Sequence, residues 1–136
     1  MAQEYRSEKL EHVLRKIHLV LRGGVKASVI VDVSGLLMAS FPPGLADAAD
    51  APTSSPQVAA MAATLIGLAE TTLERLAQGR LDRILMEGQN GLMLVYPAGR
   101  VAAIAILLEK DARLDHAFFA ASKAAREVLE VLNLQP

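Results

Sequence analysis

The chain has 136 residues, 52% of them hydrophobic but only 4% aromatic, with no cysteine and a formal net charge of −1 at pH 7. That length suits one domain with one core, and the charge balance argues against a nucleic-acid footprint, which needs a clustered basic face. Without cysteines there is no disulfide scaffold, thiolate metal site or cysteine nucleophile, and no apolar run approaches the roughly 20 residues of a membrane span. The charged opening MAQEYRSEKLEH lacks the apolar stretch of a secretory signal, so a cytoplasmic location is expected.

The first predicted element is an amphipathic helix over residues 7–22. Leu10, Val13, Leu14, Ile17, Val20 and Leu21 recur on one helical stripe, with charged residues on the rest, and Gly23-Gly24 is expected to stop it. VKASVIVD at 25–32 is rich in β-branched residues and reads as a strand, Ser34-Gly35 as a turn, and LLMASF at 36–41 as the returning strand of a hairpin. The four prolines of PPGLADAADAPTSSP at 42–56 mark a loop, with Ser55 placed to cap the next helix and Pro56 at its first position.

The helix expected over 57–78 is the most informative segment. Val58, Met61, Leu65 and Leu68 form one apolar stripe, and Ala62, Ile66, Ala69, Leu73 and Leu76 form another about 100° round the axis. A helix apolar on most of its circumference is normally buried on more than one side. One stripe serves the chain's own sheet and the other needs a second partner; the pattern alone leaves open which does which.

Three further strands are expected at 80–87, 92–96 and 101–108. The first alternates in the manner of an edge strand, with Arg83 and Leu85 on one face. Turns fall at 88–91 and 97–100. The last, VAAIAILL, is continuously apolar, as a central strand covered on both faces should be. A final helix over 112–132, capped by Asp111, carries a stripe through Leu114, Ala117, Phe118, Ala121, Ala125, Val128 and Leu132. The fold class that follows is α+β: order α-β-β-α-β-β-β-α, a five-stranded antiparallel sheet flanked by three helices in a single domain over 1–136.

No constellation of catalytic or ligating residues accompanies this pattern. A phosphate-cradling P-loop is missing. His12 and His18 lie six apart, wrong for ligands at i and i+4, and with His116 read as surface histidines. Asp47 and Asp50 read as solubilising loop residues, Arg80, Arg83 and Arg100 as surface charges, and Met38, Met86 and Met93 as adaptable core. No cofactor and no metal are expected.

Four stretches, VKASVIVDVSGLLMAS (25–40), VAAMAATLIGLAETTLERL (58–76), RILMEGQNGLMLVYPAG (83–99) and VAAIAILLEKDARL (101–114), make the chain resemble the Roadblock/LC7 domain family, in its bacterial MglB-type branch. One departure is Asp115, where the family pattern has glycine after Leu114. The resemblance implies the Roadblock/LC7 (profilin-like) α/β sandwich and a homodimer or heterodimer with middle helices packed together and third strands paired edge to edge. Val58, Met61, Ala62, Leu65, Leu68, Arg83 and Leu85 would then form the dimer interface. It implies a partner too: many members regulate small Ras-like GTPases, some as activators that reshape the GTPase without inserting a residue. Glu70, Thr71, Glu74, Arg75 and Gln78 would be the exposed contacts. The expected function is therefore a non-catalytic dimeric regulator, GTPase activation being its sharpest form. The alternative is a dynein-light-chain-like assembly adaptor with no effect on nucleotide turnover. A small-molecule sensor is a third reading, for which the apolar strand faces offer few polar lining groups.

Overall fold

In a computed structural model describing residues 2–42 and 55–133, the long first helix, α1 (Ala2–Leu21), buries Leu10, Val13, Leu14 and Ile17. The expected stripe fails at its end, where Val20 stands exposed. Nor do the glycines break the helix by themselves: Arg22 takes the left-handed conformation (φ 53°), and residues Arg22–Gly24 form a 3₁₀ turn.

Strand β1 (Val25–Asp32) pairs with β2 (Leu37–Phe41) through a turn that Asp32 organises. Its carboxylate accepts hydrogen bonds from Ser34 N at 2.9 Å, Ser34 Oγ at 2.6 Å and Leu36 N at 3.0 Å. Gly35, at φ 95°, supplies a conformation that side chains disfavour. The Pro-rich loop, with Asp47 and Asp50, lies mostly outside the described residues, which resume at Ser55.

Helix α2 (Ser55–Arg75) starts earlier and stops sooner than the pattern suggests. The cap expected from Ser55 does not form, since Ser55 is already helical and its buried hydroxyl has no hydrogen-bond partner among the described residues. At the other end Gln78 N donates to Leu73 O at 2.8 Å and Ala77 N to Glu74 O at 3.1 Å. This is a Schellman closure with Ala77, not glycine, in the left-handed position (φ 57°).

Strand β3 is only Ile84–Glu87; residues 80–83 approach it without pairing. Strand β4 (Leu92–Ala98) runs two residues past its expected end, taking in Pro97 and Ala98, and β5 (Ala102–Leu108) follows. Helix α3 (Leu114–Asn133) begins later than expected, leaving Asp111 outside it. The sheet order is β2-β1-β5-β4-β3, every pair antiparallel. The continuously apolar strand is indeed central, and β3 is indeed an edge.

Alternation divides the core into two layers of different grain. Ile30, Leu94, Ile104, Ile106 and Leu108 project toward α1 and α3, which lie side by side on one face. Val29, Val31, Val95, Ala103 and Ala105 face α2 on the other, where Ala59 and Ala62 bring that helix close. The His18 ring is wedged between α1 and the sheet, hydrogen-bonded at 3.0 Å to the buried Ser28 hydroxyl and edge-on to Phe41, with centroids 4.6 Å apart. It is not the solvated histidine expected from its charged neighbours, and burial pushes its pKa down.

Candidate docking surface

The two stripes of α2 meet different fates. Val58, Ala59 and Ala62 are buried against the sheet, with Ala63 and Ile66 packed beside them. Met61 (47% exposed) and Leu68 (65%) face outward, with Leu65 half-buried between them. The inward side is thus the Ala62–Ile66 stripe, joined by Val58. That corrects the expected interface at two positions: Val58 and Ala62 belong to the chain's own core and present no surface to a partner.

Helix α2 contacts β1, β2 and β5, and its contact with the sheet fades at β4. Beyond it the same face carries Ile84, Met86, Met93 and Leu107, none fully buried, with Met86 40% exposed. Met86 and Met93, expected as core, instead sit opposite one another in the β3–β4 ladder on this thinly covered strip. The strip borders β3, whose outer edge has unpaired backbone groups because β4 is its only sheet neighbour among the described residues. An exposed apolar helix stripe, an apolar strip of sheet and an open edge therefore adjoin. Arg83 and Leu85 lie at that edge but turn to the opposite face: Leu85 packs against the α1–α3 core, and the Arg83 guanidinium sits 4.4 Å from the Phe118 ring centroid.

Where the C-terminal half of α2 overhangs the end of the sheet, a groove of about 780 Å³ opens. Val31, Ile66, Pro97 and Ala103 supply apolar lining; Glu70 and Glu74 line it from the helix, Arg80 and Arg100 from the segments flanking β3 and β5. The Asp32 carboxylate at its margin is committed to its turn, and the Ser34 hydroxyl, helped by the N–H groups of Leu36 and Ser34, holds its pKa below the usual carboxylate range. All five residues expected to contact a partner (Glu70, Thr71, Glu74, Arg75 and Gln78) are exposed, two of them in the groove. The roles of Arg80 and Arg100 in lining it were not visible in the sequence, because turns distant in the chain bring them together. Among the described residues no group of three or more histidine and acidic side chains could hold a metal ion, and no helix is long and apolar enough to cross a membrane.

The family model of the Roadblock/LC7 domain matches residues 18–108 of this chain. Two uncharacterised proteins of Methanocaldococcus jannaschii are each 37% identical over 76 residues, which is 56% of this chain and 60% of theirs. The chain thus spans less than two thirds of those relatives' length. Among solved structures, MglB of Myxococcus xanthus superposes with a TM-score of 0.81 at 13% identity, covering 95% of this chain and 91% of that one. The gliding protein MglB of Thermus thermophilus gives 0.78 at 15%, with 94% and 91% covered. A Roadblock/LC7 domain from Streptomyces avermitilis gives 0.77 at 19%, with 90% and 97% covered. At these identities the likeness is one of fold.

Proposed function

The chain belongs to the Roadblock/LC7 domain family, and from that premise we propose that it acts as a homodimeric, non-catalytic regulator of a small Ras-like GTPase. The observation that carries the pairing is the exposed Met61–Leu65–Leu68 stripe beside the open β3 edge. A two-fold axis normal to the sheet at β3 joins two edges into one ten-stranded sheet and brings both α2 helices onto the same face. The apolar strip that one α2 leaves thinly covered then lies under the helix pair. Full burial of such a side chain from water contributes about 1.5–3 kcal/mol. With Met61 47% and Leu68 65% exposed and Leu65 half-buried, each supplies about half of that here, and the covered sheet strip and paired edge add the rest against the several kcal/mol lost on association.

The GTPase is supported by family membership and by the mixed-charge groove at the C-terminal half of α2, where Glu70 and Glu74 face Arg80 and Arg100. Such a surface suits a protein partner whose own charges alternate, and charge complementarity there governs register and association rate more than affinity. Activation on this reading is geometric: the dimer holds the GTPase's mobile segments so that the GTPase's own groups meet the charge developing on the transferred phosphate. Single-turnover GTP hydrolysis by the cognate GTPase, with and without this protein, tests it; the expected result is acceleration. Binding without acceleration would leave the adaptor reading in its place.

A further inference from the structure

We infer that the outer face of the α1–α3 pair is a peripheral docking surface for an anionic lipid bilayer. Between His12 and Gly24 the chain has three cationic side chains, Arg15, Lys16 and Arg22, and no acid. The two helices lie side by side and antiparallel: Lys16 pairs with Glu127, while Val20 and Arg22 border the same hollow as Arg113 and His116. Leu19 and Phe119 are 68% and 69% exposed, the two most outward apolar residues of this face. Leu19 projects opposite the core stripe of Leu10, Val13, Leu14 and Ile17, and Phe119 stands one turn beyond His116. Val20, 59% exposed, lies between them.

Cations ring these three residues. Arg15 is one turn before Leu19, with its guanidinium over the Phe41 ring; Arg22 follows in the 3₁₀ turn after α1, and Lys123 is one turn from Phe119. Of the acids on these helices, Glu127 is engaged by Lys16 and Asp115 by Arg113 at 3.3 Å, while Glu8, Glu11 and Glu130 lie at least two turns from Leu19 and Phe119, toward the other end of the pair. The surplus is positive, although the chain as a whole is slightly acidic. Ridge-borne apolar side chains within a cationic ring suit a soft, negatively charged interface. A folded protein partner would need hollows spaced to receive them. Burial of the side chains to headgroup depth and attraction of each cation to anionic lipid act together.

The fold adds a second argument, resting on the pairing proposed above. An axis normal to the sheet sets both α1–α3 layers on one side of the ten-stranded sheet, opposite the α2 helices. Two patches then face the same plane, so one bilayer engages both at once and avidity multiplies two weak contacts. The α2 side and its groove stay free.

Flotation with vesicles is the test. The full chain should float with vesicles of phosphatidylglycerol and phosphatidylcholine in equal parts, remain behind with phosphatidylcholine alone, and dissociate as salt rises. Leu19→Ser with Phe119→Ser should abolish flotation, and Arg22→Glu should weaken it about fivefold or more; all three positions are exposed, and circular dichroism verifies that the variants fold. Equal flotation on both vesicle types, undiminished flotation of the double variant, or binding to polyglutamate but not to vesicles would overturn the assignment. Leu68→Glu separates this from the pairing: a monomer that still floats, more weakly, supports both readings. Strong flotation of a wild-type chain that light scattering finds monomeric would sink the pairing and keep the lipid surface.

Discussion

Ala77 holds the left-handed position that ends α2, at φ 57°. A side chain there is disfavoured by about 1–2 kcal/mol, and glycine removes that cost while losing little, because the residue is exposed and outside the helix. Ala77→Gly should therefore raise the melting temperature by a few degrees; a fall would mean the closure is not strained. Asp32 gives the opposite sign. It accepts three hydrogen bonds in the β1–β2 turn, and Asp32→Ala should destabilise by about 1–2 kcal/mol in urea unfolding. Because the folded carboxyl is held below its ordinary value of 3.8, the contribution is complete above that value. It is lost as pH falls through the depressed one. His18 titrates in a different window. Burial lowers its folded pKa below 6.5, so the unfolded chain binds the proton first and stability declines as pH falls below 6.5. No carboxylate pairs with the ring among the described residues, and its contacts are Ser28 and Phe41, with the Arg15 guanidinium 5.7 Å over the Phe41 ring centroid. His18→Gln should flatten the decline between pH 7 and 5 followed by thermal unfolding.

At the scale of elements, the pairing rests on the outer surface of α2. Leu68→Glu or Leu65→Glu puts a carboxylate where the pairing needs an apolar contact, costing several kcal/mol if left buried and unpaired. Light scattering should find monomer, while Met61→Ala should only weaken the dimer; a dimer unmoved by both glutamates would put the interface elsewhere. The order of elements was legible because each has its own period: 3.6 in the helices, 2 in the edge strand, and an unbroken apolar run in β5. Ends were less legible, for local reasons. Residues 80–83 alternate like a strand but pair with no strand among the described residues. Pro97 continues β4 opposite Ala103, past the point where the β3 ladder ends at Val95 and a strand interior would need its N–H. The direction of the two α2 stripes could not be read from hydrophobicity, since both are apolar. The inward side is the one that carries the small Ala59 and Ala62 against Ala103 and Ala105, flanked by Val58 and Ile66, while Met61 and Leu68 face outward. His18 escaped notice for a related reason, because its place depended on Ser28 and Phe41 arriving from other elements.

For the molecule as a whole, the sheet is unevenly covered. Among the described residues, two helices and large aliphatic residues seal one face, and a single helix, seated on alanine and valine, covers part of the other. If the missing cover is a second copy, folding and association are linked, because the folded chain pairs and the unfolded chain does not. Stability then depends on concentration. A tenfold rise in protein should add about 1.4 kcal/mol per mole of dimer, appearing as a melting temperature that climbs by a few degrees per decade. Leu68→Glu should melt lower and at a temperature independent of concentration, since its folded state gains nothing from a second copy. The combination distinguishes lost pairing from a damaged core, which would lower the melting temperature and leave its slope with concentration intact. A wild-type midpoint that stays fixed over two decades of concentration, in a chain still folded at the lowest, would mean that the α2 face is stable uncovered and that its apolar stripe awaits a different protein.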